Sequence, residues 1–189
     1  LVATPFFSGF YSKDTIIEAA KFGAEGKGWV GTYGYWAVLL GAFVTSLYSF
    51  RLLYMTFFGA ERFREASADG HGHDDHGHGA HEPKESPWVV TLPLVLLAIP
   101  SIAVGFFTAG PMLFGTDWSG HEQVMPFFTG AIDVLQQHDT LGRIASELWH
   151  GPVAFALHGF LTPAFWLTLA GFVVATAMYW WRPELAAKA

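Results

Sequence analysis

The stretch Trp88-Val89-Val90-Thr91-Leu92-Pro93-Leu94-Val95-Leu96-Leu97-Ala98-Ile99-Pro100-Ser101-Ile102-Ala103-Val104-Gly105-Phe106-Phe107-Thr108-Ala109-Gly110 contains no charged side chain. An apolar run of about 20 residues is what a helix needs to cross the hydrocarbon core of a bilayer. This stretch therefore makes the chain a membrane protein, and its prolines, Pro93 and Pro100, should kink the helix. Toward the C-terminus a second uncharged run, from about Thr162 to Trp181, ends in Tyr179-Trp180-Trp181-Arg182-Pro183, an interfacial aromatic belt followed by a basic stop. Toward the N-terminus, Tyr35 to Gly59 reads as another span, and Leu1 to about Ala20 as the remainder of one whose beginning has been cut away. Composition agrees: 14% of residues are charged, against about 25% in soluble domains. The fold class is all-α integral membrane. About four transmembrane helices are expected, the first partial and broken, together with amphipathic interfacial helices in the outer loop.

Charge divides the chain further. Arg62, Arg64 and Lys84 lie between the second and third spans, and Arg182 and Lys188 follow the fourth, whereas the segment 111–161 holds only Arg143. The positive-inside rule puts the 60–87 loop and the C-terminus in the cytoplasm and the connecting loops 21–34 and 111–161 outside, although Lys21 and Lys27 weaken the asymmetry. The expected organisation is then spans one and two in 1–59, a cytoplasmic His/Gly-rich loop at 60–87, a span at 88–110, a periplasmic loop at 111–161, and the last span with its basic end at 162–189. In the outer loop, Phe128, Ile132 and Leu135, then Ile144 and Leu148, recur at helical spacing. The chain opens on Leu1-Val2-Ala3 without methionine or a signal-peptide pattern, and reads as an internal fragment of a longer polypeptide.

Within the first span, Gly9-Phe10-Tyr11-Ser12-Lys13-Asp14 sets an ammonium beside a carboxylate in apolar surroundings. A charge at that depth costs at least ~2.5 kcal/mol, so an intramembrane ionisable pair is read as a functional site facing a hydrated interior. The chemistry it suits is proton or ion transfer. Burial lowers a lysine pKa and a nearby carboxylate raises it, so Lys13 is suited to change protonation state when a neighbouring charge moves. Asp14 is its partner or the next acceptor. Pro5 and Gly9 precede the pair, and such residues interrupt membrane helices where freed backbone lines a cavity. Glu18, Arg51 and Ser12 are supporting candidates. Arg51 sits ~12 Å from the Gly59 end by helical rise, too deep for comfortable snorkelling, so it reads equally as an interfacial anchor or as a buried cation tuning the site. Gly41, Thr45 and Ser49, four residues apart, read as a packing face.

Other chemistries find little support. With no cysteine, disulfides, cysteine-ligated iron–sulfur clusters and thiolate catalysis are excluded from this chain. The net charge of -6, carried mostly in loops, argues against nucleic acid. His71, His73, His76, His78 and His81 punctuate a glycine-rich polar tract. They are weak metal ligands at best, because a fixed site needs held geometry and second-shell support.

The motif at Gly9–Asp14, followed by Gly41-Ala42-Phe43-Val44-Thr45-Ser46-Leu47-Tyr48-Ser49-Phe50-Arg51, closely resembles the subunit L family of the bacterial proton-pumping NADH:quinone oxidoreductase, respiratory complex I. The mitochondrial counterpart is the fifth membrane-encoded chain. The resemblance covers most of the chain and is weakest at 111–160 and the His tract. It implies an antiporter-like subunit at the distal end of the membrane arm in a bacterial inner membrane. Lys13 and Asp14 would lie on the broken helix of the second half-channel, on the proton route toward the periplasm. It further implies multi-pass insertion in the lipid bilayer and contact with other membrane-arm subunits, especially the neighbouring antiporter-like one. NADH, FMN, iron–sulfur clusters and quinone belong to partner subunits, so the chain is part of an enzyme without holding a redox centre. Thr15 departs from the family pattern, which often has an acid there; Glu18 is the nearest carboxylate. A sodium/proton antiporter large subunit or a membrane-bound hydrogenase subunit shares this pattern, and a His-rich metal-handling membrane protein is the alternative of a different class.

Overall fold

The computed structural model describes residues 4–25, 27–59, 84–125, 127–128, 130–182 and 184. Among them the regular structure is helical, apart from one isolated bridge between Thr116 and Gln123. The helices are α1 (Ser8–Ala24), α2 (Gly28–Phe57), α3 (Trp88–Ala109), α4 (Thr140–Glu147), α5 (Pro152–Gly159) and α6 (Pro163–Thr176). A π-helical turn extends α3 over Gly110–Phe114, and another extends α6 over Ala177–Trp181.

Among the described residues, three helices are long and apolar enough to cross a membrane: Gly28–Phe57 with 30 residues, Trp88–Phe114 with 27 and Pro163–Trp181 with 19. Their apolar side chains point outward, as at Leu97, 63% exposed. That pattern is stable only if the surrounding medium is itself apolar.

α2 and α6 run parallel. Down the seam, Leu39 packs with Ala164, the Ser46 hydroxyl donates to the Thr168 carbonyl at 2.7 Å, Tyr54 shares a hydroxyl hydrogen bond with Thr176 at 2.9 Å, and Phe58 meets Trp180 edge-on at 4.9 Å. The seam is tight because Gly171 has no side chain. A Cβ there would lie 2.6 Å from the Phe43 carbonyl oxygen. Small residues that let backbones approach are the usual means of holding membrane helices together, where apolar burial gives no net drive.

α1 begins beside the middle of α3. The Ser8 hydroxyl donates to the Pro100 carbonyl at 2.9 Å and accepts from the Gly105 N–H at 2.8 Å. Three residues later Tyr11 meets Phe106 edge-on, so α1 and α3 run in the same direction, opposite to α2 and α6. Before Ser8 the chain turns, with Phe6 at a positive φ of 74°. That turn precedes Ser8, and Gly9 lies inside the 17-residue helix.

Two sequence expectations need correction. Residues 21–34 are not a loop, because α1 continues to Ala24 and α2 starts at Gly28. Lys21, one of the charges that suggested a loop, finds its partner Glu18 within the helix, and Glu25, just past its end, pairs with Arg143 of α4. The spacing of Phe128, Ile132 and Leu135 does not produce a helix either. That stretch is turn and irregular chain with Gly130 at φ 79°, and the helices of this segment are α4 and α5. Periodicity alone cannot override a left-handed backbone position.

The main buried cluster joins α1 to the segment between α3 and α6: Phe10, Tyr11, Phe22, Ala109, Phe114, Ile144, Trp149, Phe155 and Ala156. Its polar edge is fastened by Trp149, whose indole N–H donates to the Thr116 hydroxyl at 2.9 Å, and by Tyr11, whose hydroxyl donates to the Pro152 carbonyl at 3.1 Å.

Candidate functional site

Consecutive residues of a helix point about 100° apart, and in α1 this separates Lys13 from Asp14. On that spacing Tyr11, Asp14, Glu18 and Phe22 occupy one sector of ~80°, with Lys13 on the far side. Tyr11 and Phe22 belong to the buried cluster with α4 and α5. Asp14 is only 3% exposed and Glu18 only 2%.

Lys13 is exposed on the surface of this chain and lines a cleft of about 260 Å³ with Ile16, Ile17, Val38, Gly41, Thr45 and Thr168. The cleft lies between α1, α2 and α6. Its wall is apolar except for Lys13 and the two threonines, and the Thr168 hydroxyl is buried without a hydrogen-bond partner among the described residues. Gly41 and Thr45 therefore border Lys13, while the close helix contact falls one position on, at Ser46 against Gly171. The packing face read from Gly41, Thr45 and Ser49 is displaced to that extent.

Asp14 Oδ2 is likewise buried with no hydrogen-bond partner among the described residues. Glu18 and Lys21 are among the charged side chains near Asp14. One turn further along, Glu18 Oε2 accepts from the Lys21 ammonium at 3.1 Å; the Lys21 side chain is 49% exposed. Lys21 also stands in the last turn of α1, where a cation suits the negative end of the helix dipole. Sequence reading counted Lys21 as a loop charge and missed this contact. The signal was present in the spacing of residues 14, 18 and 21, which is i, i+4, i+7.

The remaining candidates are less central. Ser12 is exposed and donates to the Gly9 carbonyl at 3.3 Å. Thr15 is buried and donates to the Tyr11 carbonyl at 2.6 Å, a local bond within the helix. Arg51 is exposed, outside the cleft lining, with its guanidinium 5.8 Å from the Tyr179 ring centroid. His71, His73, His76, His78 and His81 lie outside the described residues. Among the described residues no group of three or more His, Cys, Asp or Glu side chains is arranged to hold a metal ion.

At the C-terminal end of α1, Arg143 ties the turn after Ala24 to α4. It donates to Glu25 at 2.9 Å and covers the Phe22 ring at 4.3 Å. The Glu25 hydrogen bond pushes the pKa of this exposed guanidinium further up, so Arg143 acts as a fixed charge.

The chain that carries this arrangement has relatives among known proteins. Over its whole length the chain is 44% identical to NADH-quinone oxidoreductase subunit L of Neisseria meningitidis, serogroups A and B. It is a homologue of one segment of subunit L. The chain covers 27% of the length of those relatives. It is also 32% identical to F(420)H(2) dehydrogenase subunit L of Methanosarcina mazei and 33% identical to NAD(P)H-quinone oxidoreductase chain 5 of a Synechocystis, each match covering 93% of this chain. No family model matches the chain. The all-helical membrane architecture agrees with kinship to subunit L.

Proposed function

We propose that this segment carries part of the proton route through an antiporter-like subunit of a bacterial complex I, with Lys13 and Asp14 as the relay. The observation that carries the reading is the position of the pair on a helix that starts beside the middle of α3, where Ser8 meets Pro100 and Gly105. A charged group at that depth is costly and persists where it serves ion movement. The relatives are named for three different electron donors, NADH, F420H2 and NAD(P)H. A segment similar across all three, and without cysteine in this chain, suits ion translocation better than redox chemistry.

In this reading NADH oxidation, quinone reduction and their cofactors belong to partner subunits of the membrane-embedded complex in the bacterial inner membrane. The Lys13 ammonium releases its proton when a neighbouring charge moves and desolvation favours the neutral amine. The orphan Oδ2 of Asp14 provides an acceptor behind it. Once Asp14 has passed that proton on, its carboxylate again favours the charged form of Lys13, and the relay is reset for the next proton.

The test uses the assembled complex reconstituted in vesicles, with protons counted per electron. Lys13→Met keeps the length and removes the titratable group, so the ratio falls. Lys13→Arg also lowers it, since a guanidinium stays protonated and cannot pass a proton on. A normal ratio in assembled Lys13→Met complex overturns the assignment.

A further inference from the structure

We propose that Glu18 is a further proton carrier, the outward continuation of the route from Asp14, and that Lys21 is the positioning residue that controls it. This rests on the reading of Lys13 and Asp14 as a relay. Three observations lead to it. Glu18 is 2% exposed yet ionisable. It stands one helical turn from Asp14, where side chains four apart are neighbours at about 5–6 Å between Cβ atoms, and Asp14 Oδ2 has no hydrogen-bond partner among the described residues. On the other side, Lys21 reaches Glu18 at 3.1 Å from a half-exposed position. Together they step from a buried acid toward the end of α1 that packs on α4.

The proton balance is simple. Protonated Asp14 gives its proton to the Glu18 carboxylate, directly or through one bridging water, and becomes a carboxylate. Neutral Glu18 no longer holds Lys21 by charge, and the ammonium turns to the aqueous side with its own proton retained. Glu18 then releases the proton to outer water, and the returning ammonium re-forms the ion pair. One proton leaves Asp14 and one reaches the outside; Lys21 stays charged throughout.

Few other groups compete for the role. α3 carries no titratable side chain. α2 presents Tyr35 to the Ile17 cluster, α4 brings Arg143 and Glu147, which bond each other while Arg143 also holds Glu25, and α5 brings His158.

The experiment measures protons per electron in vesicles holding the assembled complex. Glu18→Gln, which keeps the shape and a hydrogen-bond acceptor for Lys21, should lower the ratio as much as Lys13→Met does, and Glu18→Asp should restore part of it. Lys21→Met should shift the pH profile of pumping, because it removes the positive charge paired with Glu18 at 3.1 Å, and Lys21→Arg should return the profile to that of the unaltered protein. If Glu18→Gln pumps normally while Lys13→Met does not, the continuation is wrong and the relay stands. If both pump normally, the relay itself falls. Should Glu18→Gln fail to assemble, Glu18→Asp together with an unshifted Lys21→Met profile marks Glu18 as an ion pair that only holds the helix, and overturns the proposal.

Discussion

The N–H of Gly105 donates to the hydroxyl of Ser8 at 2.8 Å, so the first residue of α1 is keyed into the middle of α3. The same hydroxyl donates to the Pro100 carbonyl. This contact fixes the depth at which α1 starts, and with it the depth of Lys13, ~7.5 Å further along the helix axis.

Gly105→Ala tests that contact. A Cβ would fall 2.5 Å from Ser8 Cα, and backbone cannot step aside as a flexible side chain can. Overpacking of this kind costs about 1–3 kcal/mol. The thermal midpoint of the solubilised complex should fall, and pumping should drop in whatever assembles. An unchanged midpoint would mean that α1 is held elsewhere.

Filling the cleft beside Lys13 gives a second test. Nothing lies within 4 Å of a Cβ added at Gly41, and Gly41 borders the same cleft as Lys13. Gly41→Leu should therefore be accommodated without backbone strain and obstruct access to the ammonium. The expected outcome is normal assembly with fewer protons per electron. A normal ratio would separate the cleft from the proton route.

A third expectation concerns acid stability in the outer segment. The Asp117 carboxylate accepts hydrogen bonds from the Ser119 hydroxyl and from the backbone N–H groups of His121 and Glu122. The Ser119 bond foremost, then the backbone bonds, hold its pKa well below the usual carboxylate range. A folded pKa below the unfolded value means that the contribution is fully present above the ordinary value of about 3.9 and is lost as pH falls toward the folded one. In hydrogen-exchange measurements, Asp117→Asn should speed exchange at His121 and Glu122 at neutral pH. Equal exchange in both proteins would show that the turn holds without the charge.

Much of the architecture was legible because membrane insertion is a strong and local constraint. Backbone polar groups must be satisfied within the segment that crosses, so an apolar run such as 88–110 reads directly as helix. Lys13 and Asp14 stood out for the same reason, since charge is conspicuous in apolar sequence. The errors fell where charge was taken to end a helix. Lys21 lies in the last turn of α1 and pairs with Glu18 three residues back, a local spacing that sequence could have shown, whereas the Glu25–Arg143 pair just past the helix depends on neighbours in space.

The sequence by itself determined the class of fold, the apolar spans and the residue types at the candidate relay, because each follows from transfer of side chains and backbone into hydrocarbon. Only the tertiary structure decided which way those residues face. Lys13 borders a cleft of α2 and α6 while Asp14 and Glu18 turn inward, and Lys21 reaches back to Glu18. The pitch of a helix sets the angle between neighbouring side chains, but which sector meets protein is fixed by close contacts such as Ser8 with Gly105 and Ser46 with Gly171. Those contacts join residues far apart in the chain, and no local pattern encodes them.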